Sequence, residues 1–545
     1  MKKLISLVLC FVMVLSLLAG CGSSGSSEAS ANAPAAEAAP EATVANPGVS
    51  DTGAMAAGTT GATYTPVVES DSYKERVVIG TNLQCRTIDP QAESDMAHDD
   101  VFRMTHNRLT YYNSQTREVE PELATSWEWV SDTELVFKLR EDVTFQNGNK
   151  FNAEDVIFTF ERSRSSAVCS SKLVFLESFE ALDEYTVKMT LTQHYTDWLI
   201  LLSNCVFCIL DKETVEADPD KGPGVGTGAW IIEDMSPNTY VELDRNDNFW
   251  GEIPVTKEVC FTYIAEDSAR LIALQNGEID VCIDPANTEL SYITDDPNLD
   301  LVRFQSTTST FFCFNTSKAP GNNVNVRRAI AHAINVDEVI LAATEGNATK
   351  CIPFWGWATY GYDDTMEPYE YNIEKAKQYM ADAGYPDGGV TIEVMVSNAE
   401  RKTALQVIQS QLQEIGVEIV VYECDHSTII GRTTFAEPIH EAMLFYTSWN
   451  YEGDDGRRML YAGSNVNKAI YTNQEVMDLL DEAAVLPDGD ERAAIYKEVQ
   501  AIIHDEAPWI PLYYAVKSVG INKNCGGIIW EPHQRHEFTN ICVAQ

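Results

Sequence analysis

The segment formed by residues 391–422 constrains the fold most, because it has the pattern of a complete βαβ unit. Residues 392–396 form an apolar strand, and a helix with Leu405, Ile408 and Leu412 on its apolar face follows. Gly416 ends that helix, and residues 417–421 form a second apolar strand. A crossover of this kind places two parallel strands in one sheet beneath the helix, so the sequence predicts an α/β class.

The same patterns recur over residues 74–545. Strands are predicted at residues 77–80, 135–139, 187–191 and 229–233, and helices are predicted at residues 269–276, 327–341, 474–484 and 491–504. Asn152 is expected to cap a further helix whose first turn carries Glu154 and Asp155. A body of this length exceeds the roughly 250–300 residues beyond which chains divide, so we expect at least two domains.

The N-terminus has the pattern of a secretory signal. Lys2 and Lys3 precede an apolar stretch over residues 4–18, which is shorter than the roughly 20 residues that span a bilayer comfortably. The stretch ends in Leu18-Ala19-Gly20-Cys21, which resembles a bacterial lipobox. That resemblance implies removal of residues 1–20, a lipid on Cys21 and anchoring at the outer face of the cell membrane. The alternative is an uncleaved membrane anchor.

The composition of the remaining chain narrows the class of partner. Residues 21–73 are rich in Ser, Gly, Ala and Pro and are predicted to form a disordered tether. No further run of about 18 apolar residues follows. With 82 acidic and 38 basic residues the net charge is −44, which argues against nucleic acid as a partner and against charge-driven binding to anionic lipid.

Thirteen cysteines are many for an exported chain. Loss of Cys10 with the signal and acylation of Cys21 leave eleven of the thirteen, an odd number, so at least one thiol is unpaired. Most of them lie in apolar runs and are predicted to be small buried residues, which favours an anaerobic source and, with the tether, a Gram-positive one. Cys205 and Cys208 have no second pair or histidine cluster nearby, so we expect a structural role for them.

A series of short motifs occurs in a characteristic order. The motifs are Glu120-Pro-Glu-Leu-Ala-Thr-Ser-Trp-Glu128, Phe137-Lys-Leu-Arg-Glu-Asp-Val-Thr-Phe-Gln-Asn-Gly148, Gly226-Thr-Gly-Ala-Trp230, Phe249-Trp-Gly251, Phe314-Asn-Thr316 and Val326-Arg-Arg-Ala-Ile330. Together they resemble the peptide-type, family 5 extracellular solute-binding proteins of ABC importers over nearly all of residues 77–519. The resemblance weakens after Gly520.

The resemblance implies an α/β, two-lobed clamshell of the periplasmic-binding-protein type (type II, cluster C) with an extra inserted subdomain. Lobe I takes residues 74–112, 222–306 and 514–545, the inserted subdomain takes residues 113–221, and lobe II takes residues 307–513. The lobes close over a ligand and present it to membrane permease subunits. The implied function is capture of short peptides for an ABC importer by a monomeric receptor that is not an enzyme and uses no cofactor.

The resemblance also implies where a peptide is held. In many peptide-binding relatives an acidic residue three positions after a cleft tryptophan takes the α-amino group, and Trp449-Asn450-Tyr451-Glu452 places Glu452 there. A carboxylate makes a charge-assisted hydrogen bond with an ammonium group, and a solvated surface acid is the alternative. Tyr451 and Asp454 belong to the same candidate segment.

Other candidate ligand contacts lie in further loops. The flat faces of Trp355, Trp357 and Trp449 are suited to covering a ligand, with core packing as the alternative for each. The loop after the first strand contributes three candidates, namely Asn82, Gln84 and Arg86. Arg86 is our prediction for the residue that binds a peptide carboxylate, with Arg457 and Arg458 as alternatives.

No metal site and no catalytic signature is predicted. Residues 222–228 resemble a phosphate loop, but a predicted strand follows them rather than a helix. His533 and His536 lie beside Pro532 with little helical pattern, so a nickel or haem ligand has little local support. No Gly-x-Ser-x-Gly or His-Glu-x-x-His motif occurs. The alternatives left open are an oligosaccharide receptor of the same class, a receptor that senses a ligand without transport, and a hydrolase.

Overall fold

The structure is a computed structural model that describes residues 63–545. The predicted signal over residues 1–20, the lipidation site Cys21 and the tether up to residue 62 lie outside the described residues. The strands, in chain order, are β1 (Thr63–Thr65), β2 (Arg76–Thr81), β3 (Thr110–Asn113), β4 (Glu118–Pro121), β5 (Ala124–Trp129), β6 (Glu134–Leu139), β7 (Leu176–Asp183), β8 (Thr186–Leu191), β9 (Trp230–Ser236), β10 (Tyr240–Arg245), β11 (Glu258–Tyr263), β12 (Val281–Ile283), β13 (Leu299–Phe314), β14 (Ala348–Lys350), β15 (Val390–Val396), β16 (Val417–Glu423), β17 (Ala442–Ser448), β18 (Trp509–Asn522), β19 (Cys525–Gly526), β20 (Ile528–Trp530) and β21 (Cys542–Val543).

The helices alternate with these strands. In chain order they are α1 (Met96–Thr105), α2 (Ala153–Ser165), α3 (Trp198–Leu202), α4 (Lys212–Ala217), α5 (Asp267–Gln275), α6 (Leu290–Thr294), α7 (Val324–Ala333), α8 (Val336–Thr344), α9 (Ile373–Asp382), α10 (Ala399–Leu412), α11 (His426–Arg432), α12 (Asp455–Leu460), α13 (Gln474–Val485) and α14 (Asp490–Glu506). Over residues 63–545, none of them combines the length and the apolar character that crossing a membrane requires.

One large mixed sheet organises the body. Its strands are hydrogen-bonded in the order β16-β15-β17-β13-β18-β12-β2-β11-β10-β9, and β14 pairs with β18 beside this path. The central strands β13 and β18 are 16 and 14 residues long and run antiparallel through both halves of the sheet. Their pairing is interrupted between Gln305 and Ser309, where they pass from one half to the other. We expect the hinge between the lobes at this interruption.

Separate hydrophobic cores fill the two lobes and the inserted subdomain. In lobe I, β2, β9, β10, β11 and β12 pack with α1 and the C-terminal strands. In the inserted subdomain, the four-stranded sheet β5-β6-β8-β7 packs against α2. In lobe II, α7–α10 pack against β15–β17. The fold is the two-lobed clamshell that the sequence indicates, and the lobe boundaries given above stay a prediction.

Two local predictions are confirmed. β15 and β16 are parallel neighbours in the sheet, joined by α10, and Gly416 ends the connection with a φ of 72°. The Asn152 side chain accepts a hydrogen bond from the Glu154 N–H at the start of α2, and the Asn152 N–H donates to the Asp155 carboxylate. This reciprocal pair is a capping box, which fixes where the helix begins.

Two segments differ from expectation. The helix predicted at residues 327–341 is divided into α7 and α8, because Ile334 is extended and Asn335 caps a new helix by accepting from the Glu338 N–H. The end of the predicted tether belongs to the folded body, since β1 pairs antiparallel with β20. The Thr-Tyr-Thr sequence of β1 suits a strand, and Thr65 Oγ1 accepts from Trp530 Nε1 at 2.7 Å.

Candidate ligand-binding site

A cavity of about 400 Å³, counting the solvent at its mouth, lies between the lobes. The residues that line it come from α1 and Tyr112 of lobe I, from positions 200–205 of the inserted subdomain, from positions 450–452 of lobe II, and from the C-terminal positions 533 and 535. Ligand sites occur preferentially in clefts between domains. A molecule held in this cavity contacts both lobes at once.

The loop that follows β17 has a fixed backbone. Trp449 is fully buried, and its indole Nε1 donates to Ser309 Oγ at 2.9 Å. The Tyr451 hydroxyl donates to Glu531 Oε2 at 2.6 Å. The Asn450 N–H donates to the carboxylate of Asp455, the first residue of α12, at 3.1 Å. These contacts hold the chain on either side of Glu452.

Glu452 lines the cavity with a carboxylate whose hydrogen-bonding capacity is not filled. Its Oε2 is buried and has no hydrogen-bond partner among residues 63–545. Burial, together with the nearby Asp455 carboxylate, raises the pKa of Glu452 to about 7. A buried acceptor without a partner costs free energy, so this oxygen is suited to a ligand that brings a donor, above all an ammonium group.

Asp454 takes part in a contact that joins the inserted subdomain to lobe II. Its N–H donates to Asp197 Oδ2 at 2.9 Å, and its carboxylate accepts from the Tyr195 hydroxyl at 3.2 Å. Asp197 in turn accepts from Nη1 and Nη2 of Arg492 at 3.0 and 2.8 Å. Because the side chains of Asp197 and Arg492 are 1% and 0% exposed, this is a buried ion pair across the cleft, which we call the latch.

Glu531 forms a second connection across the cleft. It lies in the C-terminal segment and accepts from Ser114 Oγ of the inserted subdomain and from the Tyr451 hydroxyl of lobe II, both at 2.6 Å. Burial raises its pKa above the usual range for a glutamate. Through Glu531, the C-terminal segment therefore connects the inserted subdomain to lobe II.

The wall formed by α1 and the C-terminal segment carries two arginines and one acid, Asp99, whose Oδ2 lies 2.6 Å from Arg535 Nε. Arg103 and Arg535 line it together with His533. Burial and the two guanidinium groups lower the pKa of His533 well below its usual value, so its imidazole is neutral. The cavity thus presents the Glu452 carboxylate from lobe II, and from lobe I the Arg103 guanidinium and the Arg535–Asp99 pair.

Comparison with known proteins identifies the family. The family described as bacterial extracellular solute-binding proteins, family 5 middle, matches residues 118–468. The chain belongs to this family. The heme-binding protein A of Haemophilus influenzae is 28% identical over 486 residues, which cover 81% of this chain and 87% of that relative. The dipeptide-binding protein of Escherichia coli is 26% identical over 483 residues, covering 80% and 89%.

A solved structure of similar sequence has the same fold. It is the ABC transporter-associated periplasmic binding protein DppA from Helicobacter pylori in complex with the peptide STSA. This chain matches it with a TM-score of 0.74 and 26% identity, covering 87% of this chain and 99% of that one. The names of these relatives describe binding proteins rather than enzymes.

In this solute-binding protein, Tyr451 and Glu452 line the interlobe cavity, whereas the three candidate tryptophans do not. Trp355 and Trp449 are buried in the core of lobe II with ring centroids 5.5 Å apart. Trp357 is half-buried and donates from Nε1 to the Ser306 carbonyl at 2.8 Å. Core packing, the alternative given for each tryptophan, accounts for the positions of Trp355 and Trp449.

The loop after β2 lies away from the interlobe cavity. Leu83 and Cys85 of this loop line a different cavity of about 410 Å³ within lobe I, whose walls are largely apolar. Asn82 and Gln84 are half-buried and line neither cavity. Arg86 is exposed, and its guanidinium pairs with the nearby acids Glu93 and Asp95. Its guanidinium donors are thus engaged by these two carboxylates, and Arg86 does not line the interlobe cavity.

Glu93 and Asp95 also belong to a cluster with His98, in which three ligand-type atoms lie within 4.8 Å of one another. The Nδ1 atom of His98 lies 2.6 Å from Asp95 Oδ1, and Arg86 pairs with both acids. The negative charge of this cluster is therefore balanced by protein side chains.

The predicted alternatives Arg457 and Arg458 are also engaged within lobe II. Arg457 pairs with Asp481, and Arg458 donates to the Asp455 carboxylate at 2.8 Å. Sequence reasoning missed Arg103, Asp197 and Arg535, which the fold brings to the cleft from distant parts of the chain. The sequence interpretation treats His533 and His536 only as possible metal ligands. Arg535 lies between them, and this cluster of polar side chains is a local indication of a binding surface.

Proposed function

We propose that this protein is an exported lipoprotein that captures short peptides between its lobes and delivers them to the permease of an ABC importer. The observation that carries the proposal is the buried, unpartnered Oε2 of Glu452 in the interlobe cavity. It lies three positions after Trp449, where peptide-binding relatives place the residue that takes the amine. The names of two relatives, a dipeptide-binding protein and a DppA bound to the peptide STSA, support the same ligand class.

The closed arrangement explains how capture works. A peptide amine satisfies Glu452 on lobe II while the rest of the peptide contacts lobe I and the inserted subdomain. The latch and the hydrogen bonds of Glu531 to Ser114 and Tyr451 stabilise the closed form. A ligand shifts the equilibrium further toward this form only by as much as it binds the closed form more tightly than the open form. We propose that the closed form is the one that docks on the permease.

Peptides are expected to raise the melting temperature of the purified full chain. A ligand present at 100 times its Kd adds about 2.7 kcal/mol to the free energy of unfolding, which shifts the melting temperature of a body this large by a few degrees or less. The measurement is a thermal-shift screen with di- to hexapeptides, their N-acetylated forms, amino acids and oligosaccharides. A shift given by oligosaccharides alone would contradict the peptide proposal and leave the clamshell intact.

The lipid anchor is tested separately. Cys21→Ser is expected to release the protein from the cell envelope into the soluble fraction, because the acylated thiol is replaced by a hydroxyl that is not a substrate for acylation. The measurement is fractionation followed by immunoblotting, with Cys10→Ser within the predicted signal as the matched control. Membrane retention of Cys21→Ser would instead support an uncleaved N-terminal anchor.

A haem-type ligand is a second candidate, favoured by one observation. His533 lines the cavity with a neutral imidazole whose Nδ1 has no hydrogen-bond partner among the described residues, and a neutral imidazole can ligate iron. One relative is named heme-binding protein A. Titration with hemin distinguishes the candidates: an absorption change that is lost in His533→Ala supports haem. The oligosaccharide alternative has no such support, since Trp355 and Trp449 lie in the core.

A further inference from the structure

The cavity wall contributed by the inserted subdomain carries a pair of free thiols. Cys205 lines the interlobe cavity, whereas Cys208 is fully buried and does not line it. Neither cysteine is part of a disulfide, and both pack against Phe102 of α1. The sequence indicates a structural role for the pair, and nothing in it shows that one of the two thiols borders the ligand cavity.

The two cysteines stand at the ends of one tight turn. The Cys208 N–H donates to the Cys205 carbonyl at 3.0 Å. A turn closed in this way brings its first and fourth Cα atoms within about 7 Å of each other. A disulfide needs a Cα separation of roughly 4.4–6.8 Å. The fold therefore holds the pair where a disulfide between them can form with little movement of the backbone.

The surroundings of Cys205 favour its thiolate. Arg108 Nη1 donates to Cys205 Sγ at 3.5 Å, and Nε and Nη2 of the same guanidinium are held by the Glu122 carboxylate. The hydrogen bond from the Cys208 thiol, together with Arg108, lowers the pKa of Cys205 against the opposing effect of burial. Burial raises the pKa of Cys208 well above its usual value, so Cys208 stays protonated.

A thiolate beside a protonated thiol suits exchange with a disulfide better than binding of a metal ion. A metal ion requires both sulfurs as thiolates, and the guanidinium of Arg108 beside Cys205 Sγ repels a cation. Attack on a disulfide needs a thiolate that the disulfide can reach, and Cys205 supplies it at the cavity wall. Completion of the exchange needs a second thiol close by, which Cys208 supplies.

We propose that Cys205 and Cys208 form a thiol–disulfide exchange site that reduces the disulfide bond of a small ligand held in the interlobe cavity. The ligand class is a low-molecular-weight disulfide, such as two cysteine-containing dipeptides joined through their sulfurs. The inference goes beyond the proposed function, because the exchange does not depend on Glu452 or on a peptide amine.

The exchange balances in two steps. The Cys205 thiolate, whose proton has passed to water, attacks one sulfur of the ligand disulfide, so a mixed disulfide forms and one ligand thiolate leaves and takes up a proton. Cys208 then gives up its proton and attacks Cys205 Sγ, and the second ligand thiolate leaves and takes that proton. Two electrons pass to the ligand, and the chain is left with a disulfide between Cys205 and Cys208. Each chain therefore reduces one disulfide.

The test uses the full chain, reduced and then freed of reductant under nitrogen, with the disulfide dimer of alanylcysteine as the probe. We expect each chain to release both alanylcysteine units. Residues 189–212 form one tryptic fragment, in which Cys205 and Cys208 are the only cysteines. Mass spectrometry after acid quenching and alkylation should show this fragment losing two hydrogens at least about ten times faster than any other cysteine is modified, because thiolates react and buried thiols do not.

Three variants separate the two steps from general damage. Cys208→Ser should stop after the first step, releasing one alanylcysteine and keeping the other on Cys205. Cys205→Ser should release neither. Cys424→Ser is the matched control, because Cys424 is half-buried and does not line the cavity, so this variant should react like the unaltered chain. If a variant at the site does not fold, fragment mapping of the unaltered chain still decides the question.

Two outcomes would overturn the inference. The first is oxidation of the fragment 189–212 that is absent or no faster than modification of the other cysteines. The second is a mixed disulfide that persists on Cys205 in the unaltered chain, because Cys208 then does not complete the exchange. Neither outcome bears on the amine site at Glu452, which the thermal-shift screen tests separately.

Discussion

Replacing Arg492 with methionine is expected to weaken peptide binding by about 100-fold. In the closed form Arg492 makes two hydrogen bonds to Asp197 across the cleft, and both side chains are buried. Removing one partner of a buried ion pair costs about 3–5 kcal/mol, because the other charge is left without compensation. Opening the cleft returns Asp197 to solvent, so the variant shifts the population from the closed to the open form. Apparent affinity falls with the closed fraction.

Calorimetry with a peptide from the thermal-shift screen measures this affinity, and small-angle scattering measures the opening of the unliganded variant. Adding Asp197→Asn to Arg492→Met should recover part of the loss, since a buried amide costs less than a buried charge. Lys402→Met is the matched control, because Lys402 pairs with Glu423 within lobe II and away from the cleft. A lower melting temperature with unchanged affinity would instead assign Arg492 to the folding of lobe II.

The parts of the fold that the sequence predicted are those specified by local pattern. β15, α10 and β16 were predictable because apolar periodicity, a terminal Gly416 and short connections lie within about thirty residues. The prediction of one helix over residues 327–341 was wrong because its apolar face continues past Asn335, whereas the asparagine side chain favours a new cap. Periodicity identified the buried residues but not the break between the two helices.

The candidate site was less predictable, because burial and pairing there depend on contacts between distant residues. Trp449 was expected in a cleft loop, and nothing in its sequence neighbourhood indicates that Phe354, Trp355 and Ser309 enclose it. The pairing of Arg86 was predictable from the sequence, because its partners Glu93 and Asp95 follow it within the same loop. Arg535, by contrast, pairs with Asp99, which lies near the opposite end of the described sequence, so no local pattern indicates the contact.

Peptide affinity is expected to pass through a maximum between about pH 7 and pH 8. Burial, with Asp455 close by, raises the pKa of Glu452 to about 7 in the unliganded closed form. A peptide ammonium stabilises the ionised carboxylate, so below pH 7 binding must release a proton from Glu452. The affinity therefore falls by up to about tenfold for each pH unit below 7. Above about pH 8 the peptide amine loses its own proton, and the affinity falls again.

Glu452→Gln should remove the acid limb of this profile and weaken binding by about 100-fold at pH 7.5, because a neutral amide replaces the charged acceptor. Asp454→Asn is the matched control: burial, with the neighbouring Asp197, raises the pKa of Asp454 to about 8, but its carboxylate accepts from Tyr195 at the latch. This variant should therefore keep the acid limb. Calorimetry in two buffers of different ionisation enthalpy counts the protons released. Affinity that stays level down to about pH 5 in the unaltered protein would show that Glu452 is solvated before the ligand arrives, and the amine subsite would then lose its physical basis.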